Sequence, residues 1–288
     1  MYTQIVGKIR LALAPFELEW ANVPFYVTAR GLTTSLMPYG ERALQIDFDF
    51  ISHTVEVKTS AGETRSISLV AARSVAEFFE EFTALLKALK INVQIRPVPV
   101  EIPNPVPFAQ DREPAPYDPE YAHRFWHILT RVDSVLIEHR ASFRNRHTPV
   151  QFFWGTFDLT YVRFSGKPAQ PPPNADSIMR ASMDAEEIAV GFWPGDDRFP
   201  EPAFFCYGYP QSAGIEQAII RPEQAFWNNK LGLFLLRYED ILRCESPRAA
   251  IREFLVSTYN ACATKAGWGL DDAPLAPPPY AKRPRSFA

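Results

Sequence analysis

The chain has 288 residues, 47% of them hydrophobic and 22% charged, with a formal net charge of −3. That is enough for one large domain or two modest ones, excludes wholesale disorder, and argues against a general nucleic-acid binder, which needs a basic footprint against phosphate. No run approaches the roughly 18 apolar residues of a membrane helix, and Cys206, Cys244 and Cys262 form no C-x-x-C pair, so neither a zinc site nor a disulfide framework is signalled.

The N-terminal apolar run IRLALAPF is broken by Arg10 and Pro15 and lacks the length and cleavage site of a secretory signal. A cytoplasmic, reduced protein is the expectation. Ile5–Leu13 alternates imperfectly and fits a strand or a short helix. Phe25–Ala29 reads as a strand, and residues 30–35 as a polar turn or second short strand. The cleanest β signal follows: Leu44, Ile46, Phe48 and Phe50 alternate with Gln45, Asp47 and Asp49, the period of two that a half-buried strand requires. Val55 and Val57 repeat it, Ser60–Glu63 is a hairpin connection and Ser66–Val70 the returning strand. Ser74 with Glu77 spells a capping box. Val75, Phe78, Phe79, Phe82, Leu85, Leu86 and Leu89 then form one helical stripe to lie on the dry face of this meander. Val93–Ile95 reads as a short further strand.

Residues 97–119 are proline-dense, which predicts an extended connector running over the surface. Asp118-Pro119 opens a helix to about His139. Its stripe is Tyr121, Ala122, Phe125, Leu129, Val132 and Leu136. Phe152–Phe164, Glu187–Phe192, Ala203–Tyr209 and Leu231–Arg237 are strand candidates, and Ser246-Pro247 caps a last helix. The tail from Asp271 to Ala288 is proline-rich and basic at its end, an expected disordered segment.

The pattern is strands then a long helix, twice. It predicts an α+β fold of two consecutive halves, 1–96 and 120–270, joined by the 97–119 connector and followed by the 271–288 tail, with a cleft between the halves.

Candidate chemistry centres on QFFWGTFDLTYVRFSG (151–166) and its echo VGFWPG (190–195). On a regular strand Trp154 and Asp158 share a face, while Arg163, five residues beyond Asp158, points the other way. A carboxylate beside an indole suits ligand binding or a general base; a structural ion pair or a hydrogen-bonded core Asp is the commoner outcome. Glu186, Glu187, Trp193 and Asp196-Asp197 surround the echo, where Trp193 either contacts ligand or packs. Arg30, Thr33, Thr34 and Ser35 present a guanidinium and three hydroxyls, suited to an anion or to satisfying a turn. His123 and His127 are four apart on a helix, a metal-ligand spacing, but on the polar face and without a partnering glutamate motif. Nothing names a cofactor. Pro277–Tyr280 is the short kind of proline-rich string that aromatic grooves bind.

At these residues the sequence resembles a family of bacterial proteins of unknown function typified by FWG-FDL, RFSG and GFWPG motifs. The resemblance runs from QIVGKIRLAL to STYNACATKAGW and includes VPFYVTARGLTTS, IDFDF with His53, SVAEFF, PYD, TPVQFFWGTFDL, RFSGK and GFWPG. It implies histidines where this chain has Glu19, Pro114, Gln151 and Ala185; His53 alone remains, which weighs against a metal or enzymatic role carried over from the family.

The leading expectation is a protein that binds a small polar or aromatic molecule in a cleft between the halves, lined by Trp154, Asp158, Arg163, Trp193, Glu186, Arg30 and Thr33, without membrane or nucleic-acid partners. The alternatives are an acid–base or hydrolytic enzyme using Asp158 or Glu186, and a non-catalytic interaction module using the connector and tail. Oligomeric state is not specified by these residues.

Overall fold

The alternating N-terminal stretches build a six-stranded antiparallel sheet. In the computed structural model, which describes residues 1–17, 20–175 and 177–269, its strands are β1 (Tyr26–Val27), β2 (Gly31–Thr33), β3 (Met37–Tyr39), β4 (Arg42–Asp49), β5 (Thr54–Thr59) and β6 (Thr64–Ser68). The order is β1-β2-β4-β5-β6, with β3 also on β4. Leu44, Ile46, Phe48, Val55, Val57 and Ile67 are buried, as their alternation predicts. The helix α2 (Val75–Ala88) starts at the Ser74 capping box: Ser74 Oγ accepts from Glu77 N at 3.2 Å, and Ser74 N donates to Glu77 Oε2 at 2.7 Å. It buries Phe78, Phe82 and Leu86.

The stretch that fits strand or helix is α1 (Tyr2–Leu13), and its residues from Thr3 to Arg10 are all buried. A helix buried all round must sit between layers, and its contacts show which. Tyr2 stacks on Phe78 of α2 at 3.9 Å. Arg10 donates to the Thr34 carbonyl and, at 3.1 Å, to Ser35 Oγ. Gln4 exchanges two hydrogen bonds with the backbone of Val100, at 2.9 and 2.8 Å.

Two expectations are corrected here. Val93–Ile95 is extended but pairs with no strand, so its alternation reflects packing beside α1 and α2 and not a ladder. The 97–119 connector is also more than a surface runner. Phe108 is fully buried against Phe79, ring centroids 5.7 Å apart, and Phe108 N donates to Pro97 O. Proline denies the segment a ladder, so it is held by a buried aromatic anchor and by isolated bonds such as Ala76 N to Asp111 O.

The C-terminal strands form a second antiparallel sheet in the order β11-β12-β10-β9-β8-β7. They are β7 (Gln151–Phe152), β8 (Leu159–Pro168), β9 (Ala185–Trp193), β10 (Ala203–Tyr209), β11 (Phe226–Asn228) and β12 (Leu233–Arg237). One face packs on α3 (Pro119–Arg140) and α6 (Pro247–Lys265), burying Leu159, Tyr161, Val190, Phe204 and Phe234 with Leu129, Leu136 and Phe254. Asp118 caps α3 by accepting from Tyr121 N, whereas Ser246 makes no such bond to α6. Two short helices, α4 (Ser177–Ser182) and α5 (Tyr238–Leu242), complete the described elements. The tail beginning at Asp271, with its proline string, lies outside the described residues.

The two sheets meet edge to edge. Phe25 and Phe152 exchange backbone hydrogen bonds at 2.8 Å in each direction, Trp126 Nε1 of α3 donates to Thr28 O at 3.0 Å, and one apolar cluster draws residues from both halves. The Trp154 indole reaches from the second half onto α1, where a Cβ on Gly7 would fall inside its ring. Helix propensity alone would make Gly7→Ala stabilising by about 1 kcal/mol; overpacking costs about 1–3 kcal/mol and wins against a ring held on both sides. We therefore expect Gly7→Ala to lower stability by about 1–2 kcal/mol, read as a reduced urea midpoint at unchanged slope.

Candidate functional site

The WGTF segment is a hairpin turn and not part of a continuous strand. Phe153 N donates to Asp158 O at 2.9 Å and Phe157 N to Phe153 O at 2.8 Å, with Phe157 in the left-handed region at φ +64°. The predicted Phe152–Phe164 strand is thus the end of β7, a six-residue connection (153–158) and the first part of β8. Trp154 and Asp158 still line one cavity, from the two sides of the turn. Trp154 Nε1 donates to Val23 O at 2.9 Å, and Thr3 Oγ1 donates to Trp154 O at 3.3 Å.

This turn closes one end of a cleft of about 420 Å³. Its floor is the face of the second sheet opposite α3 and α6. Val162, Ala189 and Tyr207 lie side by side there by register, flanked by Thr160 and Glu187. The Phe205 ring lies over Gly191, where a Cβ would come within 2.9 Å of it. The opposite wall comes from the first half and the connector: Lys8 and Leu11 of α1, then Trp20, Val23, Arg96, Val100 and Glu101.

The cleft holds charges of both signs. Burial pushes the Asp158 carboxyl up to about 6; the Thr156 hydroxyl that donates to it opposes the rise, and the Glu101 carboxylate adds to it. Burial, followed by the neighbouring Glu187 carboxylate, drives the Tyr207 phenol well up, so it stays a hydrogen-bond donor. On the α1 side burial lowers Lys8, and the Arg96 guanidinium lowers it further.

Of the seven residues expected to line a common cleft, Trp154 and Asp158 line this one and the other five do not; Glu187, noted beside the VGFWPG echo, also lines it. Arg163 points to the opposite face, as its spacing from Asp158 predicts. There its guanidinium lies 4.2 Å from the Tyr259 ring centroid and 4.8 Å from that of Phe143, and donates to His139 O at 2.6 Å. Glu186 accepts from Ser165 Oγ at 2.8 Å beside a separate cleft of about 310 Å³; its neighbour Glu187 faces the floor, because adjacent strand residues alternate. Trp193 shares the floor's face but stacks on Phe199, centroids 6.3 Å apart, in a small apolar cluster that also holds Phe205. Arg30 pairs with Asp49 and Ser52. Thr33 accepts from Ser35 N at 3.0 Å, which is turn satisfaction in the first sheet. The predicted convergence of all seven residues does not occur, because only two of them face α1.

The residues missed are Lys8, Arg96, Trp20, Phe205 and Tyr207. Tyr207 and Phe205 share a parity on one strand, a local signal; Lys8 and Arg96 carry none. Also missed is a buried pair on the helical side, Tyr161 Oη and His139 Nδ1 at 2.5 Å, where burial, then Arg163, holds His139 well below its ordinary value and therefore neutral. His123 and His127 have rings 4.4 Å apart. No group of three or more His, Cys, Asp or Glu side chains suited to a metal occurs among the described residues, and no described helix is long and apolar enough to cross a membrane.

Fold and cleft define an α+β protein with a mixed apolar and charged cavity between an N-terminal helix and a sheet. The chain belongs to a family described as a family of unknown function, DUF5996, whose model matches residues 1–274. Comparison with curated proteins and with solved structures gave no match.

The Asp158 shift has a sign that stability can read. Its native value of about 6 lies above the ordinary 3.8, so the native state holds the proton more tightly than the unfolded chain. The stabilisation is complete below pH 3.8 and is lost as pH rises through about 6. Asp158→Asn should flatten that part of the pH–stability curve, measured by urea unfolding between these limits; an unchanged slope would place Asp158 in an ordinary aqueous environment.

Proposed function

We propose that the protein binds a small organic molecule with an apolar or aromatic body in the cleft between α1 and the second sheet. The observation that carries this reading is the cleft itself. About 420 Å³ is bounded by Val162, Ala189, Phe205 and the Trp20 and Trp154 indoles, together with a few polar groups that include Asp158, Tyr207 and Lys8. Ligand sites have this size and this division between an apolar body and a few oriented polar groups. Trp154 and Asp158 keep the roles the sequence suggests for them; Arg163, Trp193, Glu186, Arg30 and Thr33 are not part of this site.

One observation favours a second reading. A carboxyl that titrates near 6 is suited to proton transfer at neutral pH, and Asp158 shares the cleft with the Tyr207 hydroxyl. On that reading a bound molecule is also turned over, and Asp158→Asn abolishes turnover while leaving binding within a few-fold.

The binding reading is tested with the neutral fluorophore N-phenyl-1-naphthylamine. Saturable, one-site enhancement is expected for the natural sequence, and its loss in Ala189→Trp and Val162→Phe, which fill the floor. Circular dichroism should remain unchanged in at least one of the two. Binding that ignores both fillings, or no saturable binding, refutes the proposal.

A further inference from the structure

We infer that the ligand is an organic anion whose acidic group, a carboxylate, sulfonate or phosphate, is held by Lys8 and Arg96 while its apolar body lies on the sheet. This rests on the binding reading above and specifies the ligand's class.

Lys8 is 6% exposed and lines the cleft. Among the described residues, nothing accepts a hydrogen bond from its Nζ and nothing forms an ion pair with it. Arg96, immediately before the connector, lines the same cleft and likewise has no hydrogen-bond or ion-pair partner among the described residues. Other cations of low or partial exposure do find acceptors. Lys58 Nζ lies 2.9 Å from Asp47 and 2.8 Å from Glu56; the buried Arg10 and Arg163 donate to main-chain carbonyls.

A lysine whose side chain is mostly buried and whose ammonium meets no acceptor where it opens into the cleft carries a cost, and a second cation beside it raises that cost. The position itself does not require a charge. The adjoining turns of α1 place Ile5 and Ile9 in the core, and a methionine at position 8 would preserve helix and volume. An unpaired cation pair facing a cavity with an apolar floor is a preorganised anion site. Asp158, Glu101 and Glu187 also line the cleft, but among the described residues none of them is hydrogen-bonded or ion-paired to Lys8 or Arg96. A ligand anchored at Lys8 and lying over Ala189 and Phe205 would present its far end to Asp158 and Tyr207, both able to donate a hydrogen bond when protonated.

The test compares N-phenyl-1-naphthylamine with 8-anilino-1-naphthalenesulfonate, the same ring system carrying a sulfonate, on the full chain. The anionic probe is expected to bind at least about tenfold more tightly, a factor typical of a charge-assisted hydrogen bond. Lys8→Met and Arg96→Gln should each remove about tenfold of the anionic probe's affinity and leave the neutral probe's unchanged. Lys8→Met should also raise the melting temperature, a readout that a structural role for the ammonium would reverse. Equal affinity for the two probes, or an anionic affinity indifferent to both substitutions, overturns this inference and leaves the cleft as a neutral binding site. Failure of both probes, with the filled variants behaving like the natural sequence, overturns the cleft reading and this inference together. Because Arg96 is exposed, its variant remains informative if Lys8→Met fails to fold.

Discussion

The cleft side of this protein depends on one contact, the Trp154 indole against Gly7. The ring is 4% exposed, its Nε1 is bound to Val23 O, and its main-chain carbonyl accepts from Thr3. One residue therefore fixes the distance between α1 and the β7–β8 hairpin and the course of the chain at Val23. Burial of a ring this size is worth about 3–5 kcal/mol when truncation is the measure, a large share of a typical domain's net stability. Because helix and hairpin are pinned at this end, the floor of β8–β10 and the wall of α1 stand apart elsewhere, and the space between them is the cleft.

Two faces of the second sheet show opposite ways of housing polar side chains. On the helical face Arg163 is buried with its charge spread over two aromatic rings and a carbonyl, and Tyr161 is tied to a neutral His139. These groups are held by one another and by the main chain, so they specify packing. On the cleft face Lys8 and Asp158 sit in a setting that opposes their charged forms, through burial and through like-charged neighbours. Such strain costs stability and persists where a ligand or a reaction uses it.

What the sequence makes legible is local. The alternation of Leu44–Phe50, the S-x-x-E box at Ser74 and the Asp118-Pro119 start each act within a few residues, and each forms as expected. The α1 helix resists reading because burial on every side removes the polar stripe that reveals an amphipathic helix. The β7–β8 turn resists it because Trp-Gly-Thr-Phe lacks the Asn-Gly or Asp-Gly signature of tight hairpins, and a phenylalanine takes the left-handed position.

The candidate site divides along the same line. Trp154 and Asp158 stand out because an indole, a glycine and a carboxylate fall within five residues of one another. Lys8 and Arg96 are inconspicuous because a lysine among apolar residues means one thing on a surface helix and another on a buried one. Only the tertiary contacts decide between them: Gln4 clasping Val100 draws the connector along α1 and so brings both cations to one cavity. The pairing of Lys8 with Arg96 at one cavity is thus a product of the connector's path. A chain with the same strands and helices, but with residues 97–119 running free over the surface, would leave the cleft without the wall that Val100 and Glu101 supply.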